Sequence, residues 1–390
     1  MTTSPATMSA SFPASLRTPR RVALVHYWLV NMRGGERVLE ELCEMFPEAD
    51  IYTHVVDQAK LSQKLLRHRI VTTFIGKLPR AVRWYQKYLP LMPLALEGLD
   101  LSDYDLVICS EAGPAKGVVV RPDAVQIVYC HSPMRYIWDK YHFYRNSAGR
   151  VTKLFMPLLA HYLRLWDTTS AVRVDGFVAN SGFVAKRLMK AYGRSADIVH
   201  PPIDVDAFMP GSLLAPEEFY LWCGELVGYK RPDLAIDAFT ELGLPLVVIG
   251  GGEELDRLKQ RAGTNVTFLG KASFDMLRDH MARCRALIFP GEEDFGMVPV
   301  EVQASGRPVI ALARGGALET VVPGVTGLLY DEDSKDGLLN AVRTFEASAM
   351  PGKCRTACIA NARRFDRQAF TAGMVKALAK HGIAVPVKTV

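Results

Sequence analysis

The sequence predicts an α/β chain of two domains, each built on a parallel sheet. Three observations carry this. Short, largely apolar runs recur at Val22–Trp28, Gln126–Cys130, Leu246–Ile249 and Ala286–Phe289, the form taken by strands buried on both faces. Several runs end in glycine-bearing turns that open onto helical segments, as at Gly34-Gly35 and Arg314-Gly315-Gly316. Finally, 390 residues suffice for two ordinary domains, each with its own core.

About half of the chain is hydrophobic and about a quarter charged, the balance of a soluble globular protein. No stretch approaches the ~20 apolar residues of a membrane-spanning helix. A net charge of +6 fits a phosphorylated ligand or an anionic membrane surface. It is too diffuse for nucleic acid as the main partner, and no basic-aromatic module accompanies it. Seven cysteines form no CxxC pair or zinc spacing; an odd, scattered set reads as reduced and cytosolic.

Residues 1–20 contain Ser, Thr, Ala and Pro but no acid. Without an apolar signal core they read as a disordered extension, and a transit peptide fits the same composition. The first strand, Val22–Trp28, leads through Gly34-Gly35 to a helix over Val38–Met45. Paired glycines let backbone amides approach a pyrophosphate with no Cβ in the way, although a plain turn reads the same. From Thr73 to Tyr104, Lys77, Arg80, Arg83 and Lys87 alternate with Phe74, Trp84, Tyr85 and Tyr88. These spacings predict a helix with a basic side and an aromatic side. It either lies on an anionic membrane or covers a core.

Strands at Asp105–Ser110 and Gln126–Cys130 lead to Glu111 and His131. A histidine at a strand end points into a prospective cleft, though a satisfied core histidine is the commoner reading. Val151–Ala171 is a long amphipathic helix, and Ser181, at the end of a strand from Gly176, can cap the helix that follows. Asp197–Asp206, with Pro201-Pro202, is the crossover between domains; Asp204 and Asp206 read as a turn and helix cap.

The second domain opens with the strand Phe219–Cys223 and a loop carrying Lys230-Arg231 into a helix. Cations at a helix start oppose its dipole, so stabilising a departing diphosphate is the better reason for them. Strands at Leu246–Ile249 and Val266–Gly270 lead to glycine turns, with no G-x-G-x-x-G and downstream acid to argue for a dinucleotide. Next come a strand at Ala286–Pro290, the acidic loop Gly291–Met297, a helix over Val298–Ser305 and a strand at Pro308–Leu312. Glu293 lies on the loop and Glu301 about one turn into the helix. Carboxylates so placed are poor phosphate ligands but good acceptors for sugar hydroxyls; the alternative is that such acids merely favour a helix start. A ligand with hydroxyls at both ends and phosphate between them is a sugar nucleotide.

The pattern from Glu293 to Glu301, two glutamates separated by seven residues and followed by ASGRPVIALARGGALETV, resembles the C-terminal half of retaining glycosyltransferases of family 4. The subgroup it looks most like is the bacterial mannosyltransferases of O-antigen and exopolysaccharide assembly, and the likeness runs over roughly residues 21 to 370. The resemblance implies a GT-B architecture, two Rossmann-like domains with parallel sheets facing an interdomain cleft. It divides the chain into a tail (1–20), an acceptor-side domain (21–203), a nucleotide-sugar domain (204–365) and a C-terminal helix (366–390) packing back on the first domain.

By resemblance, Lys230, with Arg231 and the amides of Gly34 and Gly35, stabilises the leaving diphosphate. Glu293 holds sugar hydroxyls together with the backbone of Phe295, Gly296 and Met297, Glu301 holds the ribose, and Gly251 flanks the base. His131 lies beside the transferred sugar. Glu111 and Arg135 are weaker candidates for contacting the acceptor. One departure is Glu225, which stands where many relatives carry arginine; Arg231 is the residue that would substitute. No metal or other cofactor is expected, since fixed cations balance the diphosphate. The expected function is transfer of a hexose, mannose from GDP-mannose, to a polyprenyl-diphosphate-linked glycan in bacterial surface or exopolysaccharide assembly. The location implied is the cytoplasmic face of the inner membrane, in peripheral contact with anionic lipid. Two alternatives stay open: a sugar-nucleotide epimerase on the same fold, or a non-catalytic nucleotide-binding assembly subunit.

Overall fold

The computed structural model describes residues 16–209, 215–348 and 350–385. The chain divides into two units. The first holds the described residues up to Ala179, Arg187–Val199 and those from Thr371 onward; the second holds Asn180–Lys186 and His200–Phe370. The change between units therefore falls at Val199-His200, four residues before the expected 203, and a short excursion at 180–186 belongs to the second unit. Most of the expected tail lies outside the described residues. Its end is tied down: the Arg17 N–H donates to Gly382 C=O and the Ala384 N–H to Arg17 C=O, each at 2.9 Å. The helix Arg367–Ala379 crosses into the first unit at Thr371.

In the first unit a seven-stranded parallel sheet comprises β1 (Val22–His26), β2 (Asp50–Thr53), β3 (Ile70–Thr72), β4 (Leu106–Glu111), β5 (Val125–Cys130), β6 (Gly176–Ala179) and β7 (Asp197–Ile198). Their spatial order is β3-β2-β1-β4-β5-β6-β7. In the second unit six parallel strands, β8 (Tyr220–Cys223), β9 (Leu246–Ile249), β10 (Val266–Gly270), β11 (Leu287–Phe289), β12 (Val309–Leu312) and β13 (Gly327–Tyr330), run in the order β10-β9-β8-β11-β12-β13. Both sheets reverse their winding once, between β1 and β4 and between β8 and β11. In such doubly wound sheets the carboxyl ends at the reversal form the ligand crevice.

The apolar runs follow from burial on two faces. Along β8, Tyr220 and Trp222 enter one core with Ile288, Ile310 and Leu312. Leu221 and Cys223 enter the other with Leu287, Phe289, Val309 and Ala311. Period-two alternation sends neighbours to opposite sides, and both sides are covered by helices, so along β8 no position is left for a polar residue.

Two expectations change. The first long helix begins at Gly34, not Val38, so the paired glycines are its first turn. The basic-aromatic segment is not one helix. It breaks into short turns at Phe74–Lys77, Ala81–Trp84 and Tyr85–Leu91 before the helix Met92–Glu97, with Arg80 in the left-handed region at φ 50°. Pro79, Pro90 and Pro93 interrupt the helical hydrogen-bond ladder. Its apolar residues Ile75, Ala81, Met92, Tyr85 and Leu89 pack into a small core with Val30 and Val55. Arg80 and Lys87 lie over the Trp84 ring.

Candidate functional site

In the first unit the expected residues gather where β1, β4 and β5 end. The parallel register sets His26 beside Ser110, and His131 follows β5 directly, its N–H donating to Glu111 C=O at 2.8 Å. The Ser110 hydroxyl lies between two imidazoles, 3.0 Å from His26 Nδ1 and 2.8 Å from His131 Nε2. With one proton it donates to one ring and must accept from the other. Glu36 Oε1 lies 3.8 Å from His26 Nε2, while Glu36 Oε2 accepts the Arg33 N–H at 2.9 Å.

Electrostatics follow from this enclosure. Burial, assisted by His26 and opposed by Glu36, pushes His131 down to about 3. The imidazole is therefore neutral at physiological pH and acts through hydrogen bonds, not charge. Burial raises the Glu36 carboxyl, but His26 and the backbone donors outweigh it and hold it below the usual range.

Gly34 and Gly35 open the helix Gly34–Met45, so their amides belong to a first turn with no intrahelical partners. A Cβ at Gly35 would stand 2.6 Å from the Tyr27 hydroxyl and 3.6 Å from His131 Nε2. The helix start thus lies against the histidine group only because residue 35 lacks a side chain.

Glu111 takes a different role from the one expected. It is fully buried, and its Oε1 and Oε2 accept from Lys116 Nζ at 2.9 Å and from the Lys116 N–H at 2.8 Å. Lys116 Nζ also pairs with Asp167, which in turn accepts from Trp138 Nε1 at 2.7 Å and the Tyr192 hydroxyl at 2.8 Å. A carboxylate so enclosed has no surface to offer an acceptor. Arg135 is half-buried and donates from Nε to Ser132 Oγ at 3.3 Å; burial and Glu36 raise the Tyr27 phenol above its ordinary range, and Arg135 only partly opposes them.

In the second unit, Lys230 and Glu293 stand at the carboxyl ends of β8 and β11, the reversal point of the sheet. Lys230 Nζ is 2.9 Å from Glu293 Oε1. Burial lowers the Lys230 ammonium, but the Glu293 carboxylate, Tyr229 and the hydrogen bond more than offset it and hold the group above its ordinary value. Gly291 makes the approach of the two loops possible, since a Cβ there would meet Lys230 Cα at 2.7 Å.

Glu301, buried on the helix Met297–Ala304, joins this group. Burial first, then Glu301, Cys284 and Glu293, raise the Cys223 thiol while Lys230 opposes them, so the Glu301 charge is felt at the end of β8. Gly296, at φ 80°, starts that helix and Met297 is its first residue. The Phe295 ring turns away into the core, stacking on His200 with ring centroids 5.3 Å apart.

Two other expected residues differ. Arg231 directs its guanidinium to Asp233 (3.3 Å) and Asp333, so in this structure its charge is paired with these two carboxylates, while Glu225 is exposed. Gly251 has ordinary contacts, a Cβ falling 3.5 Å from Lys271. The steric demand lies at its neighbours. A Cβ at Gly250 would stand 1.8 Å from Gly224 O, and one at Gly252 would stand 2.4 Å from Leu226 O.

Sequence reasoning missed His26, Ser110 and Glu36 as partners of His131. The available signal was that His26 and Ser110 stand at or one residue before the ends of the strands flanking the winding reversal, and Glu36 directly follows the glycine pair. Asp204 does cap a short helix, accepting the Ala207 N–H at 3.2 Å, and Ser181 Oγ accepts the Val184 N–H at 3.1 Å. Among the described residues, no group of three or more His, Cys, Asp or Glu is placed to hold a metal, no helix is long and apolar enough to cross a membrane, and all seven cysteines are free and buried.

Comparison with known proteins bears on the fold and the family. The D-inositol 3-phosphate glycosyltransferase of Mycobacterium tuberculosis (strain ATCC 25177 / H37Ra) is 31% identical over 283 residues, 60% of this chain and 57% of that protein. The one from Mycolicibacterium smegmatis is 32% identical over 181 residues, 40% of this chain and 42% of that protein. The chain thus spans about half the length of the curated relatives it matches. Among solved structures, Thermosynechococcus elongatus sucrose-phosphate synthase superposes with a TM-score of 0.70 at 19% identity, covering 94% of this chain and 99% of that one. Anabaena HepE in complex with UDP-glucose superposes at 0.67 and 17% identity, covering 92% and 99%. Residues 32–207 match the family model Glycosyltransferase Family 4 and residues 207–365 match Glycosyl transferases group 1. Two Rossmann-like units with parallel sheets, one bearing each signature, make this a chain of glycosyltransferase family 4 and group 1 domains on a GT-B fold.

Proposed function

We propose that this protein is a retaining glycosyltransferase that moves a hexose from a nucleotide sugar to a lipid-linked glycan. The observation that carries the reading is the Lys230–Glu293 pair, set 2.9 Å apart at the carboxyl ends of β8 and β11, with Glu301 on the helix that follows. A cation and two carboxylates contributed by strand-end loops and the next helix suit a ligand that is phosphate in the middle and hydroxyl at its ends.

In the proposed reaction the bond from the anomeric carbon to the diphosphate oxygen breaks, and its electron pair leaves with the nucleoside diphosphate. The acceptor oxygen forms the new bond on the same face, and its proton passes to the departing phosphate oxygen. The protein contributes position and charge more than a nucleophile. Lys230 balances the leaving diphosphate, Glu293 holds sugar hydroxyls, and Glu301 holds the ribose. The amides of Gly34 and Gly35 add donors for phosphate, and neutral His131, held by Ser110, orients the transferred sugar.

Resemblance to the mannosyltransferase subgroup makes GDP-mannose the first donor to try, with a polyprenyl-diphosphate-linked glycan as acceptor at the cytoplasmic membrane face. A UDP-hexose is a second reading, favoured by the UDP-glucose bound in a structural neighbour. A donor screen by thermal shift tests both. The matched nucleotide sugar raises the melting temperature, by an amount set by its concentration relative to Kd, and no shift with any nucleotide sugar would remove the proposal. Epimerised free donor in the absence of acceptor would point to an epimerase instead; a shift with no transfer to any membrane extract would point to a non-catalytic subunit.

A further inference from the structure

The helix Arg150–Val172 presents a face that the reaction does not use. Its inner side is ordinary, with Ala160, Leu163, Trp166, Asp167, Ser170 and Ala171 buried. On its outer side Val151, Leu154, Phe155, Leu158, Tyr162 and Leu165 are between 44% and 73% exposed. Steps of three and four put these six on one stripe. Isolated apolar side chains on a surface need no explanation, but a continuous stripe of this length marks a docking surface.

Charge identifies what docks. From Lys140 to Trp166 the sequence carries Lys140, Arg145, Arg150, Lys153 and Arg164 and no aspartate or glutamate. On the helix itself Arg150 and His161 border the stripe and Lys153 lies farther round on the same side, given 100° per residue, while Arg164 is taken up by Ile137 C=O and the Tyr141 ring. A second copy of the chain would set this cationic border against its own like charges. An anionic bilayer matches both parts, with acyl chains taking the stripe and headgroups taking the cations. The segment 74–97, broken at its prolines, offers exposed cations but no such continuous apolar face.

We propose that the outer face of this helix docks the protein onto an anionic lipid surface. The proposal stands on the helix alone and holds or fails independently of the donor chemistry. It is tested by co-sedimentation of the full chain with phosphatidylcholine vesicles, with and without phosphatidylglycerol. The parent is expected to sediment with the anionic vesicles, less so with neutral ones and less so at high salt. A triple variant Leu154→Ser, Phe155→Ser, Leu158→Ser and a double variant Arg150→Glu, Lys153→Glu should each lower partition about tenfold or more. Both should keep the parent melting temperature and the parent response to nucleotide.

Absence of parent binding, equal partition onto neutral vesicles, or undiminished binding by the triple variant would each overturn it. So would a triple variant that converts a dimer to a monomer in analytical ultracentrifugation while vesicle binding stays, because the stripe would then belong to a second copy.

Discussion

Lys230→Ala isolates the charge argument. The ammonium lies 2.9 Å from Glu293 Oε1, with the two side chains 19% and 20% exposed. At an effective dielectric of about 20, unit charges about 4 Å apart interact by about 4 kcal/mol. Only the charge that develops as the diphosphate departs counts toward rate, which leaves roughly 2–3 kcal/mol. Removing the lysine also leaves the Glu293 carboxylate facing the phosphate, adding about 1 kcal/mol at this partly screened site. The sum, about 3–4 kcal/mol, corresponds to roughly a hundred- to a thousandfold loss in transfer rate, the scale seen when one oxyanion donor is removed.

The ammonium is held above its ordinary 10.5. Its contribution is therefore complete at neutral pH and fades only as pH rises through that raised value. The assay is initial-rate transfer of radiolabelled sugar from the donor found by thermal shift, alongside the melting temperature of each variant. Lys230→Ala should melt lower than the parent; adding Glu293→Gln should restore melting but not transfer. A Lys230→Ala protein that transfers within about threefold of the parent would refute the assignment.

Three further predictions concern what holds the two sites in shape. Lys116→Met strands two buried carboxylates, Glu111 and Asp167, and should cost about 3–5 kcal/mol in urea unfolding; a loss under about 1 kcal/mol would mean the network is not ionised as read. Gly291→Ala drives a Cβ to within 2.7 Å of the Lys230 backbone, so it should cost about 1–3 kcal/mol and lower transfer more than nucleotide affinity, measured by calorimetry against kinetics. Burial holds His131 down to about 3 and His54 down to about 4. The unfolded chain thus takes up protons that the native one refuses, and stability, full above about pH 6.5, falls as pH drops toward those values. Replacing His54 with glutamine should flatten this slope by up to about 1.4 kcal/mol per pH unit, read from urea midpoints between about pH 7 and pH 5; an unchanged slope would show that His54 is not neutralised by burial.

Local physics explains which features were legible in advance. A strand covered on both faces is apolar at most of its positions, so β1, β5, β9 and β11 announced themselves. The spacing of Glu293 and Glu301 is short-range, one residue on a loop and one on the helix Met297–Ala304 that follows. The segment 74–97 misled because helical spacing of apolar residues persists through Pro79, Pro90 and Pro93, and the backbone obeyed the prolines. Glu111 misled because Lys116, the lysine that consumes it, is held in the core by Asp167, 51 residues further along the chain; no local pattern reveals that a strand-end carboxylate will be taken up by a buried lysine.

By itself, then, the chain's order of residues determined two parallel sheets, their glycine turns and the chemical types standing at the strand ends. Those depend on periodicity, chirality and the conformational freedom of glycine, all of which act over a few residues. Only the tertiary structure decided which polar groups became each other's partners. It set Ser110 between two histidines, closed Lys116 inside two carboxylates, turned Arg231 to Asp333, and left the apolar side of Arg150–Val172 uncovered. Pairing and burial are long-range outcomes of packing, and the free energy of a polar group depends on what packing places next to it.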